Sequence, residues 1–273
     1  MGNALFVVWR ESVEAILVVG ILYAWIRRVS ASGVGLRHLF LGTGAGVLLA
    51  AGLGALMLGL QSQLAGQMLD AFQIGVLFVA AALIAQMVAW MNAHGRHIRR
   101  DLEISMTRAA ERSGGWSCAL LAALAVGREG AETVLFLYGI AAERQGGELF
   151  DMVLGSLLGF LLALATGALL VRGSRWVPAR LFFGVSSALL LLLAGALVVT
   201  GVERLVALDW VPTLGDQLFD ISALLDDTGT PGGMVSALTG YRARPSGLVV
   251  LVFLVYWALA LWWLRHAAKG AGK

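Results

Sequence analysis

Seven blocks of about 20 apolar residues constrain this chain more than any other feature. Each has the length an α-helix needs to cross a hydrocarbon layer roughly 30 Å thick. They run over about 4–26, 39–60, 72–91, 117–140, 152–171, 181–200 and 247–264. In lipid every backbone N–H and C=O must be paired within its own segment or in a closed barrel. The period-two alternation of a barrel strand is absent, so the blocks read as helices. The expected fold class is an all-α polytopic membrane protein with seven transmembrane helices. Composition agrees: 59% of the 273 residues are hydrophobic and 14% charged, against about 45–50% and 25% in a soluble domain. The whole chain, 1–273, reads as one transmembrane domain.

Basic residues between the blocks orient the helices. Arg27, Arg28 and Arg37 follow the first helix; Arg96, Arg99, Arg100, Arg108 and Arg112 follow the third; Arg172, Arg175 and Arg180 follow the fifth. Arg265, Lys269 and Lys273 follow the last. The opposite loops hold Arg144, Arg204, Arg242 and Arg244. The positive-inside tendency therefore predicts an external N-terminus and a cytoplasmic C-terminus in a plasma membrane, the inner membrane of a bacterium. No basic stretch precedes the first apolar run, so that run is expected to be a retained helix rather than a cleaved signal. Trp25, Trp90, Trp116, Trp176, Trp262 and Trp263 fall at the predicted inner ends, where indoles favour the headgroup zone.

The outer side is acidic, with Asp70, Glu143, Glu148, Asp151, Glu203, Asp209, Asp216, Asp220, Asp226 and Asp227. Such a field concentrates cations, although it is also ordinary loop polarity. The net charge of +3 resides in the inner loops, and no nucleic-acid motif is present, so no nucleic-acid partner is expected. The long segment 201–246 exceeds a plain connector and is expected to fold back on the helices. The single cysteine, Cys118, rules out an intrachain disulfide.

Two motifs break the apolar blocks. Val8-Trp9-Arg10-Glu11-Ser12-Val13-Glu14 and Val126-Gly127-Arg128-Glu129-Gly130-Ala131-Glu132 both place Arg-Glu-x-x-Glu inside a predicted helix. Three helices separate the two, so the second is inserted in the opposite sense. This predicts an inverted repeat, 1–92 and 116–200, followed by the loop 201–246 and a last helix 247–264. Transporters of that plan bind substrate near the midplane, between the repeats.

A charge at the bilayer centre costs about 2.5–3.5 kcal/mol on insertion scales. The six charged residues must therefore face one another, water or an ion. At about 100° per residue, Arg10, Glu11 and Glu14 share one arc of their helix, and so do Arg128, Glu129 and Glu132. Each ionised motif carries two negative charges and one positive. Two facing motifs sum to −2, which a divalent cation neutralises and a trivalent one leaves at +1. Glu11, Glu14, Glu129 and Glu132 are the candidate metal ligands, with Arg10 and Arg128 as electrostatic partners. Asp220, Asp226 and Asp227 are candidates to receive the ion from outside. Two other readings use the same residues: salt bridges that only fix helix packing, and a proton relay in a membrane redox subunit.

Other features read as weaker. His94 and His97 have ligand spacing but lie in a basic loop. Met57, Met68, Met87 and Met91 form no regular motif and read as packing. Gly42, Gly46, Gly155 and Gly159 give G-x-x-x-G spacings that allow close helix contact.

At the paired motifs the chain resembles the oxidase-dependent iron permeases, which include fungal high-affinity permeases and bacterial EfeU-type permeases. Arg10-Glu11-Ser12-Val13-Glu14 and Arg128-Glu129-Gly130-Ala131-Glu132 match the family hallmark. Leu218–Leu225 and Leu238–Ser246 are also similar to the bacterial branch. The resemblance implies an iron permease rather than an enzyme, with iron, Fe³⁺ or Fe²⁺, as transported substrate and no permanently bound cofactor. It further implies separate periplasmic partners, an oxidase or haem peroxidase and a cupredoxin-like protein. A related branch linked to lead leaves lead or another divalent metal as an alternative cargo.

Overall fold

The computed structural model describes residues 2–28, 35–94, 98–113, 115–143, 149–171, 179–215, 217–227 and 229–270. Among these the secondary structure is helical throughout, with no strand. The elements are α1 (Gly2–Arg28), α2 (Leu36–Gln63), α3 (Gln67–His94), α4 (Ile98–Ser113), α5 (Gly115–Glu143), α6 (Leu149–Val171), α7 (Ala179–Ala207), α8 (Thr230–Thr239) and α9 (Gly247–Gly270). Arg96, His97, Arg144, Glu148, Arg172, Arg175, Trp176, Asp216 and Lys273 lie outside the described residues. So do the side chains of His94, Arg99, Arg112, Glu143, Arg180 and Lys269.

Among the described residues five helices, α2, α3, α6, α7 and α9, are long and apolar enough to cross a membrane. The motif helices α1 and α5 are as long, at 27 and 29 residues, but each is interrupted by its three charged side chains. The helix ends follow dipole logic. Arg27 and Arg28 close α1, while Asp70 and Asp151 sit in the first turns of α3 and α6.

The packing has a centre and a rim. α7 is largely buried and joins α3, α5 and α1 in the main core, where Leu77, Ile84, Phe136, Ile140, Leu190, Leu193 and Leu197 are nearly solvent-free. α2, α6 and α9 expose most of their leucine, valine and phenylalanine side chains outward. α2 lies along α5, and α6 along α1, in the two most extensive helix pairings. Glycines permit both. A Cβ on Gly42 would strike the Ala119 carbonyl, and one on Gly46 would lie 2.8 Å from both Ala123 O and Gly127 N. A Cβ on Gly159 would strike the Leu5 carbonyl. The expected role of these spacings in close contact is realised at Gly42, Gly46 and Gly159; Gly155 is buried.

Polar contacts gather the helix ends. Asn3 Nδ2 donates to Ala237 O, Tyr138 OH to Gln61 Oε1 and Arg204 Nη1 to Gln73 Oε1. These bonds join the start of α1 to α8, α5 to the end of α2, and the end of α7 to the start of α3. The segment 201–246 folds back here, as expected, with α8 against α7. Arg242 grips Glu203 through two hydrogen bonds of 2.6 and 2.7 Å and also contacts Ser236 Oγ. Gly240 closes α8 at φ 74°, a left-handed turn that glycine adopts without strain.

Two expectations change. The stretch 92–116 reads as a loop in sequence, yet 98–113 of it form α4. Met106 of this helix is buried among Leu22, Trp25 and Ile26 of α1, Leu39 of α2 and Cys118 of α5. A search for lipid-length blocks passes over so polar a helix. Trp25 is accordingly 8% exposed, a core residue rather than an anchor at the lipid surface. Trp116, Trp262 and Trp263 are exposed, as an interfacial role requires.

Candidate metal centre

α1 and α5 run beside each other and bring the two motifs together. Arg10 and Glu11 are 0% and 1% exposed. Arg10 Nη1 donates to Glu11 Oε1 at 2.8 Å. Its Nη2 lies 2.6 Å from Glu14 Oε1, an ion pair whose alignment falls short of a hydrogen bond. One guanidinium therefore holds both carboxylates of its own motif, at i+1 and i+4, on the arc the sequence predicts.

Across the interface Glu129 joins them. Glu11, Glu14 and Glu129 each offer a carboxylate oxygen within 4.8 Å of the others. Glu132 turns aside: its Oε1 accepts from Arg128 Nε at 2.9 Å. Glu11 Oε2 and Glu132 Oε2 are buried and accept no hydrogen bond among the described residues. Buried carboxylate oxygens normally have a partner. Three carboxylates converging on one point repel one another and gain most from a cation between them. Carboxylate oxygen is the donor that suits hard and borderline cations.

The two motifs are not equivalent. Arg10 is enclosed, whereas the Arg128 side chain is 49% exposed and lies over the Trp90 ring at 5.3 Å. Arg128 and Glu132 line an open cavity of about 340 Å³ with Leu83, Gln86, Met87 and Trp90 of α3. Glycine lets the second motif sit this close to its neighbours. Gly130, within the motif, faces Ala50, and a Cβ there would come within 2.5 Å of the Ala50 Cβ.

α3 is the part that local sequence patterns do not reveal. Met87 Sδ accepts from Arg10 Nη1 at 3.1 Å and Met91 Sδ from Nη2 at 3.5 Å. Neither is mere packing, in contrast to Met57 in the interior and Met68 on the surface. Trp90 likewise covers Arg128 instead of serving only as an interfacial anchor. The available signal is Gln86, an amide within an apolar block, beside methionines four residues apart on the same arc.

The outer candidates lie elsewhere. Asp220 accepts from Ser222 N and Oγ and pairs with Arg244 at 3.0 Å. Its carboxyl is held below the ordinary value by the Ser222 hydrogen bonds and then by Arg244. Asp227 Oδ2 accepts from Ala243 N, and the Asp226 carbonyl packs under Gly232. These acids tie the 201–246 segment together and are not part of the motif cluster.

Comparison with known proteins supplies a family. The profile of the iron permease FTR1 family matches residues 1–267. The chain is similar to the ferrous iron permease EfeU of Escherichia coli O157:H7, at 27% identity over 254 residues, covering 92% of this chain and 91% of that one. It is also similar to an uncharacterized protein of Archaeoglobus fulgidus, at 28% identity over 278 residues, covering 99% and 96%. No solved structure matches.

Proposed function

Because the chain belongs to the iron permease FTR1 family, we propose that it moves iron inward across a bacterial inner membrane through the carboxylate cluster shared by α1 and α5. The observation that carries this is the approach of Glu11, Glu14 and Glu129, from two helices, to within 4.8 Å. With Glu132 they form the ligand set, and Arg10 and Arg128 balance it. The arginines reduce carboxylate repulsion before the ion arrives and keep the site shallow enough to release it. The relatives described as ferrous iron permeases favour Fe²⁺ as the carried form. The net −2 of the six ionised groups favours the same charge.

The whole chain acts as one transmembrane domain with seven spans, α1 and α5 included. Repeats 1–92 and 116–200 are related by inverted symmetry, and the pairing of helices supports this. α1 of the first repeat packs on α6 of the second, and α5 packs on α2 in return. The N-terminus lies outside and the C-terminus in the cytoplasm, from the placement of basic residues. Asp220, Asp226 and Asp227 attract cations by field rather than by ligation, since Asp220 and Asp227 already accept hydrogen bonds within their own segment. A periplasmic oxidase or peroxidase and a cupredoxin-like protein deliver the iron as separate chains.

The test is iron uptake into vesicles, per correctly inserted molecule, for Glu14→Gln and Glu132→Gln. Glutamine keeps the shape and removes the charge and the anionic ligand. Both variants should insert normally and lose uptake. Near-normal uptake in both would overturn the ion-site reading, and loss of insertion in step with uptake would favour packing alone.

A further inference from the structure

The cluster described above has a second kind of donor. Met87 and Met91 stand one turn apart on α3 and are 4% and 7% exposed. Each Arg10 amino group touches one carboxylate and one thioether. Nη1 meets Glu11 Oε1 at 2.8 Å and Met87 Sδ at 3.1 Å; Nη2 meets Glu14 Oε1 at 2.6 Å and Met91 Sδ at 3.5 Å. The guanidinium is a tethered cation inside a cage of two oxygens and two sulfurs.

Sulfur is a poor choice if the cage exists only to hold Arg10. A thioether is a weak hydrogen-bond acceptor. Among the described residues, Arg10 Nε is left with no acceptor and Glu11 Oε2 with no donor. Toward a metal ion the order reverses. Thioethers bind soft and borderline ions well and hard ions poorly, whereas carboxylates alone suit Mg²⁺, Ca²⁺ and Mn²⁺. An all-carboxylate cluster would admit those ions in place of iron.

Resting on the permease reading, we propose that Met87 and Met91 are ligands of the transported ion. The ion takes the place now held by the Arg10 amino groups, between these sulfurs and the carboxylates of Glu11 and Glu14. The pair sets the preference for a borderline ion, ferrous iron, over the harder divalent cations. At the second motif Arg128 lies over Trp90 and donates to Glu132, and Met87 reaches that side only as part of the cavity wall. Selection belongs to the first motif.

The experiment uses the full chain in proteoliposomes. Fe²⁺, kept reduced with ascorbate, and Mn²⁺ are supplied separately to the wild type and to the double variant Met87→Leu, Met91→Leu, which nearly preserves volume. The ratio of Fe²⁺ to Mn²⁺ uptake should fall several-fold in the variant. X-ray absorption at the iron edge of Fe²⁺-loaded wild-type protein should show a sulfur scatterer that the variant lacks. An unchanged ratio overturns the proposal. So does an equal fall for both metals, which makes the methionines packing for Arg10. A wild-type spectrum with only oxygen and nitrogen neighbours does the same, and it decides the matter even if the variant fails to insert. Those outcomes leave the permease reading standing, whereas wild-type protein that moves no iron removes both.

Discussion

Residue by residue, the site is defined by how differently its two arginines are housed. Arg10 is fully enclosed with Glu11, so removing its charge strands buried carboxylates. Breaking such a pair typically costs about 3–5 kcal/mol. The Arg128 side chain is half exposed, and its pair with Glu132 is correspondingly discounted, to about 1 kcal/mol or less. Arg10→Gln should therefore destabilise the protein in detergent much more than Arg128→Gln, as read from thermal unfolding of the purified variants. Equal losses would contradict the asymmetry of burial. Arg10→Lys keeps the charge but cannot reach both Glu11 and Glu14 with a planar fork, so it should retain more stability than Arg10→Gln while still impairing iron uptake.

Among the elements, α2 and α6 are held by surfaces where glycine admits a neighbouring backbone. Gly46→Leu would drive a side chain into Ala123, Val126 and Gly127 of α5. Overpacking of this kind costs about 1–3 kcal/mol, and here it displaces the helix that carries the second motif. A Cβ on Gly44, two residues away, would meet nothing within 4 Å, so Gly44→Leu should be tolerated. Uptake and thermal stability of the two variants test the contrast. The same scale explains α4, whose Met106 plugs between α1, α2 and α5. Its expected loop had no apolar block to announce a helix, and Met106 becomes meaningful only beside the neighbours it meets.

For the whole molecule, the proposed topology predicts which segments face outside. A cysteine at Ser222 should react with an impermeant thiol reagent added outside, and one at Ser105 of α4 should be protected. The reverse labelling would invert the topology. The 201–246 segment adds a pH dependence. The Asp220 carboxyl is held below its ordinary value of 3.8, chiefly by Ser222 and further by Arg244. A depressed carboxyl contributes above its ordinary value and loses that contribution as pH falls through its value in the folded protein. The Asp220–Arg244 attachment should therefore survive acidification down to 3.8 and release only below it. Cleavage of the segment by an acid-stable protease, compared with the Asp220→Asn variant, measures this.

Helix length, charge cost and the arc shared by Arg10, Glu11 and Glu14 depend on residues close in the chain. They were legible because hydrophobic length and helical period are local properties. The family resemblance at the two motifs was legible for the same reason. What α3 contributes was not. Met87, Met91 and Trp90 look like any apolar helix face until the crossing of α3 with α1 and α5 turns that face toward two arginines. The division of labour between the motifs has the same origin. Both carry Arg-Glu-x-x-Glu, yet one guanidinium is caged by sulfur and oxygen and the other opens onto a cavity. The azimuth and spacing of neighbouring helices, set by core packing and by glycine contacts that reach the motifs at Trp9, Gly127 and Gly130, distinguish them.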